Sequence, residues 1–502
     1  MNRKHLPDYL LVVLSAILLS LAYPTTDYGF LAWFAVSGLI WVLQKPQRKH
    51  PFVLAYLAGI IFFAGTFYWF KHVTYVGATL IVFYLSVYFG IFGWAVGYFK
   101  DRPALFKVFV LPCVWVVLEF IRGHLFTGFD WGSLGHSQYK NLPLIQIADI
   151  TGVYGVSWIV MMVNVLISEY FSSKDNKNIL KRSLIASFFT TMLLLLCVYG
   201  YGALQLKNNR YAQEKIRVAL IQPNIPQEVK WSADAWPLIM NKLTRLTREA
   251  AVAQPDVILW PETSFPGFMG EDDELFGELQ TFVREINIPL LFGAILSEDE
   301  KYYNAVFLLK GDGTINGIYR KIHLVPFGEF IPLRKIFPFL EGFIPIDDFF
   351  RGREYTVFNL SAEKRSQFSA VVCFEDTVAR LVRRFIPQGS GWLVNITNDA
   401  WFMDTKAPFL HWQSALFRAV ENRKSLVRSA NTGVSGFIDP WGRASNLVRD
   451  QRGKASYVEG VSVENVFINY EQTFYTKFGD IFTFFCFGCI LGGTLIKMRA
   501  RN

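Results

Sequence analysis

The stretch FSAVVCFEDTVARLVRRFIP, residues 368–387, decides how the second half of this chain is read. An apolar run ending in Val371 and Val372 has the look of a buried strand and leads straight into Cys373. Beyond Asp376, the residues Val378, Leu381, Val382 and Phe385 recur at helical spacing until Pro387 stops the run. The cysteine therefore falls at a strand-to-helix turn, where a helix N-terminus would stabilise a thiolate. A free cysteine in such a place is either a small buried hydrophobe or a nucleophile, and these twenty residues leave both open.

Five further runs have the same strand character: IRVALIQPN (216–224), DVILWPE (256–262), IPLLFGAIL (288–296), YNAVFLL (303–309) and WLVNITND (392–399). Strands alternating with helical stretches predict one α/β domain over 204–476, with a sheet covered on both faces.

The rest of the chain is of another kind. Over 502 residues the composition is 52% hydrophobic and 17% aromatic, with 47 Phe. The mean hydropathy of +0.27 is too high for one ordinary soluble domain. Long apolar runs predict membrane spans at roughly Tyr9–Tyr23, Phe30–Val42, Phe52–Phe70, Ala78–Phe99, Leu105–Ile121, Thr151–Phe171, Leu184–Tyr201 and Ile481–Ile496. Several approach the ~20 residues that cross a bilayer. The first follows MNRKH without a small-residue cleavage site and reads as a retained anchor.

The formal charge of +9 would suit a nucleic-acid partner, but its location argues otherwise. The basic clusters at 2–5, 45–50, 100–107, 172–182 and 497–502 fall on alternate sides of the expected spans. With both termini cytoplasmic, the positive-inside rule is satisfied by all five. Residues 1–203 then form a seven-span domain, 204–476 lie outside the cytoplasm, and 477–502 hold an eighth span with a cytoplasmic tail. No nucleic acid is expected.

Topology makes the cysteines informative. Cys113, Cys197, Cys486 and Cys489 fall in expected spans, which leaves Cys373 alone in the outer domain. An unpaired thiol in an oxidising compartment is a liability unless it is buried or used. Two other segments favour use. VILWPETSFP (257–266) ends a strand at Glu262, and YRKIHLVPFGEFIP (319–332) carries Lys321 and Glu329 around a stiff Pro/Gly turn. An acid can take a thiol proton and a lysine can stabilise an oxyanion. The seven histidines show no ligand spacing, so no metal or other cofactor is expected.

LWPE, YRKIHLVPFGE and VVCFE resemble the Glu-Lys-Cys signature of the nitrilase superfamily, whose fold is an αββα sandwich. With the LVPFGEFIP turn, QPNIPQEVKW (222–231) and the eight expected spans, the whole chain resembles the bacterial apolipoprotein N-acyltransferases. That resemblance implies Glu262 as general base, Lys321 as oxyanion stabiliser and Cys373 as acyl-carrying nucleophile. Glu329, Glu375 and Trp231 match positions that support the triad or its substrate. Phe374 stands where a tyrosine is common, and Asp130 where a proline is common.

The implied partners are a phospholipid acyl donor, a diacylglyceryl apolipoprotein acceptor and the lipids of a bacterial inner membrane. The implied site is periplasmic. The Phe-rich segment 330–350 and AWFMDTKAPFLHW (400–412) are expected to admit acyl chains and exclude water. Glu119, Arg122 and Asp149, near span ends, are expected to be structural. A membrane-anchored amidase or nitrilase acting on a small carbon–nitrogen substrate needs only one span. A transporter would leave the Glu-Lys-Cys set without a use.

Overall fold

In the computed structural model the apolar runs of the first two hundred residues fold as helices. Among the described residues of the whole chain, six helices are long and apolar enough to cross a membrane: Pro51–His72, Tyr75–Phe99, Ala104–His124, Val153–Ser173, Lys181–Lys207 and, near the C-terminus, Ile481–Arg499. The remaining two expected spans are shorter, Leu6–Leu21 and Gly29–Gln44. Sixteen residues of helix reach about 24 Å, less than a ~30 Å hydrocarbon layer. The structure describes residues 6–46, 49–175, 181–208, 214–230, 232–331, 334, 348–360 and 366–499. The chain divides into two compact units, 1–208 with 477–502, and 209–476.

The helical unit buries its charges on partners, as a low-dielectric setting demands. Lys107, counted above in a basic cluster, is buried with its ammonium 2.7 Å from Glu169 and bonded to Gln44. Glu119 accepts from the Trp115 indole and the Leu134 amide, and Arg122 donates to Ser133 Oγ. Ser133 in turn donates to Asp130 at 2.9 Å. These residues fold the 128–138 segment onto the helices. Tyr201 donates to both oxygens of Asp149. Glu119, Arg122 and Asp149 thus each have a packing partner, and Lys107 belongs to a buried ion pair rather than to a solvated basic cluster.

Among its described residues the second unit holds thirteen strands in two sheets: β1 Glu214–Gln222, β2 Val257–Leu259, β3 Phe268–Met269, β4 Leu290–Glu298, β5 Lys301–Leu309, β6 Ile315–Arg320, β7 Phe358–Asn359, β8 Gln367–Val372, β9 Trp392–Thr397, β10 Leu426–Ala430, β11 Gly436–Ile438, β12 Ala444–Ser445 and β13 Gly460–Ile468. One sheet runs β13-β1-β2-β4-β5-β6 with β3 paired on β4, the other β12-β11-β10-β9-β8-β7. Parallel cores, β1-β2-β4 and β8-β9-β10, are flanked by antiparallel strands.

The sheets pack face to face, and Ser429 Oγ on β10 bonds across to the carbonyls of Ile221 and Leu259. Helices Trp236–Ala251 and Asp273–Ile286 cover the outer face of the first sheet. On the first of these, Ile239, Met240, Leu243, Leu246 and Ala250 form one apolar stripe. Truncating a fully buried Leu243 there would cost about 2–5 kcal/mol. Helix Ala407–Asn422 packs on β10, with Ala379–Phe385 beside it.

The single sheet covered on both faces is thus corrected to two stacked sheets, each with helices on one side. The layering is the αββα sandwich that the resemblance implied. Strands buried on both faces read alike whether the neighbouring layer is helix or sheet, so hydropathy alone does not separate the two.

Candidate active site

Glu262, Lys321 and Cys373 each follow the end of a strand, β2, β6 and β8 respectively. Pairing with β4 continues past β2 through Trp260 N to Leu291 O and Gly293 N to Pro261 O, which carries Glu262 to the sheet edge on an ordered backbone. There Glu262 is 6% exposed. Its Oε2 accepts from the Asn398 amide just beyond β9, and its Oε1 from Asn304 Nδ2 on β5, both at 2.8 Å. The same Asn304 nitrogen donates to Glu329 Oε1 at 2.8 Å.

Lys321 is 1% exposed, with Nζ 2.9 Å from Glu329 and 3.7 Å from Glu262. Burial opposes its charge, but Glu329 and Glu262 outweigh burial and hold the ammonium firmly protonated. Glu329 also accepts from the Val325 amide, closing the turn between the two residues.

Cys373 is only partly buried and has φ +53°, left-handed for a side chain that rarely adopts it. Such strain at a strand end lifts a nucleophile out of the sheet. Thr263 and Phe327, beside Glu262 and Glu329, also have positive φ. Burial pushes the thiol well above its ordinary range, Glu262 adds to this, and Lys321 pulls the other way. Residues Cys373–Thr377 form a 3-10 turn, and the helix begins only at Ala379. The expected stabilisation of a thiolate by a helix N-terminus is therefore corrected. The site keeps the thiol protonated, and ionisation needs a base.

Glu375 bolts this turn down. It is fully buried and accepts from the amides of Ile322, His323 and Val372 and from the Tyr319 hydroxyl, at 2.8–2.9 Å. Burial raises its carboxyl, while Lys321 and these donors pull it back. One carboxylate thus ties the Lys321 segment to the Cys373 turn. Phe374 is half-buried, with its ring 6.2 Å from that of His323. Trp231 and residues 335–347, with Phe337, Phe339 and Phe343, lie outside the described residues.

Of the second aromatic stretch, Trp401 and Met403 are exposed, whereas Ala407 onward is helix and Trp412 is buried. A 3-10 turn, Asp399–Phe402, and a short loop to Lys406 precede that helix, which corrects the expectation of a loop over all of 400–412. Phe327 and Phe350 are also exposed.

Sequence reasoning missed several residues here. Lys230 is 3% exposed and donates to the Glu262 carbonyl at 3.0 Å. Burial lowers its amine to about 8, against Glu262 and Cys373. Behind the cysteine, His411, Asp376, Asp399 and Arg428 form a fully buried cluster. Burial and Arg428 disfavour the imidazolium, but Asp376 and Asp399 prevail and bring His411 to about 9. Burial works against the Asp399 charge too, yet His411 and Arg428 hold it down to about 2. A polar Asn304 within the otherwise apolar YNAVFLL was a visible signal. A set of acid, ammonium and thiol at one edge suits acyl transfer through a covalent intermediate, with no residue group arranged for a metal among the described residues.

Comparison with known proteins agrees. Residues 15–166 match the apolipoprotein N-acyltransferase N-terminal domain, and 217–456 match the carbon-nitrogen hydrolase family. An apolipoprotein N-acyltransferase of Geobacter metallireducens is 34% identical, over 98% of this chain and 95% of its own. Those of Methylococcus capsulatus and Chlorobaculum tepidum are 32% and 29% identical, covering 86% and 98% of this chain and 86% and 96% of theirs. With its helical half and its carbon-nitrogen hydrolase half both accounted for, the chain belongs to the apolipoprotein N-acyltransferase family of enzymes.

Proposed function

We propose that this protein moves a fatty acyl chain from a phospholipid to the α-amino group of the N-terminal diacylglyceryl-cysteine of an apolipoprotein, through a thioester on Cys373. The carrying observation is that Glu262 and Lys321 meet at 3.7 Å beside the strained Cys373 turn. In the first step Glu262 takes the thiol proton as sulfur attacks the acyl ester carbonyl, and the Lys321 ammonium stabilises the oxyanion. Collapse breaks the C–O bond, Glu262 returns the proton to the leaving oxygen, and lysophospholipid departs.

In the second step the α-amine attacks the thioester. Glu262 takes the amine proton and delivers it to the departing sulfur, which restores the thiol and leaves an amide. Glu329 fixes Lys321, and Glu375 fixes the turn. Phe374 lines the site without the hydroxyl common there, and family resemblance assigns Trp231 to substrate binding. No metal or other cofactor takes part.

The chain crosses a bacterial inner membrane eight times, as 1–203 and 477–502, with both termini cytoplasmic and 204–476 periplasmic. Six long apolar helices and alternating basic clusters support this. The exposed Phe327, Phe350, Trp401 and Met403 offer apolar surface to acyl chains.

Intact-protein mass measurement after incubation with phospholipid tests the reading. A fatty-acyl mass increase, removed by hydroxylamine and absent in Cys373→Ala, is expected. No adduct on reduced, lipid-bound protein would overturn it.

A further inference from the structure

The buried cluster behind Cys373 has no part in the chemistry just described, yet it reaches the reactive residue's own backbone. His411 Nε2 lies 3.1 Å from the Cys373 carbonyl oxygen and 2.9 Å from Asp376 Oδ1. Asp376 in turn takes a hydrogen bond from Arg428 at 2.8 Å, so both atoms facing Nε2 are acceptors and Nε2 carries the hydrogen. The other ring nitrogen lies 2.9 Å from Asp399 Oδ1 and 2.8 Å from the Arg428 guanidinium.

Asn395 Nδ2 on β9 donates to the same Cys373 carbonyl at 3.0 Å. Arg428 on β10 spans both carboxylates and touches Asn395 Oδ1 at 3.4 Å. The turn after β8, β9 with the turn beyond it, β10 and helix Ala407–Asn422 therefore all converge on one carbonyl. That carbonyl belongs to the residue with φ +53°.

We infer that His411 is a positioning residue for acyl transfer: its Nε2–H, with Asn395 Nδ2–H, clamps the Cys373 carbonyl and so holds the left-handed turn that aims the thiol. This rests on the acyltransferase reading above. The clamp acts on direction rather than on acidity. A peptide pinned at its carbonyl by two side-chain donors cannot swing, so Cβ and sulfur stay aimed at the reacting carbonyl. Without it the turn relaxes toward negative φ, and misplacement of the sulfur by about 1 Å costs up to ~100-fold in rate. Phospholipid binding does not use this carbonyl and is unaffected.

The test compares His411→Leu with His411→Gln, whose amide can place a donor near the Nε2 position. Single-turnover acylation of Cys373 is followed by intact mass across phospholipid concentrations, and alkylation of the thiol by iodoacetamide is timed separately. The Leu variant should acylate about 10- to 100-fold more slowly at saturating phospholipid, with an unchanged half-saturating concentration, and Gln should recover most of the rate. Wild-type acylation by the Leu variant would overturn the inference. So would a Gln variant as slow as Leu, because packing rather than the donor would then matter.

If the Leu chain does not fold, Asn395→Asp removes the second donor to the same carbonyl, and a wild-type rate there overturns the clamp. If the parent forms no acyl adduct at all, the acyltransferase reading fails instead. The alkylation rates then decide on His411 alone: slower in Leu and restored in Gln supports the clamp, and equal rates overturn it.

Discussion

Replacing Asn304 with Leu removes one nitrogen and thereby two bonds, to Glu262 Oε1 and Glu329 Oε1, each 2.8 Å long. The volume is nearly kept, and the Asn304 backbone carbonyl still accepts from Lys321 N. A hydrogen bond to a charged group is worth about 1.5–3 kcal/mol. The low end applies, because Glu262 keeps the Asn398 amide while Glu329 keeps Lys321 and the Val325 amide. Two bonds at ~1.5 kcal/mol predict about 3 kcal/mol of lost stability, or roughly 6–12 °C in Tm for a unit of this size. The half that falls on Glu262, ~1.5 kcal/mol, predicts acylation about 10-fold slower. Tryptophan fluorescence of the detergent-solubilised protein on heating gives the first quantity, and quenched single-turnover mass measurement the second. Asn304→Asp should be worse on both counts, since it sets a third carboxylate against two. Lost stability with an unchanged acylation rate would refute the claim that Asn304 aims the base. An unchanged Tm would refute the energetic argument itself.

Gly293→Ala should disable the site from outside it: a Cβ there would lie 2.5 Å from Thr263 N and 2.8 Å from Glu262 Cα, so the acid's strand end must move, and acylation within ~3-fold of the parent would contradict this. Lys230→Met tests the buried amine by pH. Burial lowers Lys230 from 10.5 to about 8, so the unfolded chain holds this proton more tightly, the penalty is full below about pH 8, and it fades as pH rises to 10.5. That difference corresponds to ~3 kcal/mol at most. The Tm gained by Met at pH 7, less the lost bond to Glu262, should therefore shrink at pH 9.5, and a gain that does not shrink speaks against a strained amine. Topology is checked with Lys310→Cys and Asp101→Cys, both exposed positions. A membrane-impermeant maleimide should label the first but not the second above the parent's background in cells with a permeabilised outer membrane, and the reverse pattern would invert the orientation.

What the sequence disclosed depended on whether a feature is local. Six strands were legible because each is a short apolar run between turn residues, and Glu262, Lys321 and Cys373 stand where those runs stop. β13 was not legible. GVSVENVFI is half polar, and it is a strand because it pairs antiparallel with β1 along all nine positions, Glu214 against Ile468 through Gln222 against Gly460. No local signal reports a partner nearly 250 residues away. The same holds for His411. Its neighbours Asp376, Asp399 and Arg428 are scattered over three segments, and its meaning arises only when helix, turns and strand meet. Asn304 and Lys230 were visible as polar residues in apolar or Pro-bound settings, but not which carboxylate each would meet.

The thiol's protonated resting state follows from the charges around it. Lys321 already faces two negative charges, Glu329 at 2.9 Å and Glu262 at 3.7 Å, so its own charge is engaged before the thiol ionises. A thiolate would add another inside a buried space, which is why burial and Glu262 both push the thiol up. If the proton moves to Glu262 instead, one negative charge is exchanged for another and the total is unchanged. Deprotonation is therefore favourable only as a transfer within the site, and only when an electrophile is present to take the sulfur's electrons. A nucleophile built this way is quiet without substrate. In an oxidising compartment that quietness protects a lone cysteine, since oxidants attack the thiolate rather than the thiol. In the proposed acyl transfer the acylated form would carry no charge on sulfur, so a thioester would fit the pocket better than a thiolate and could wait for the second substrate.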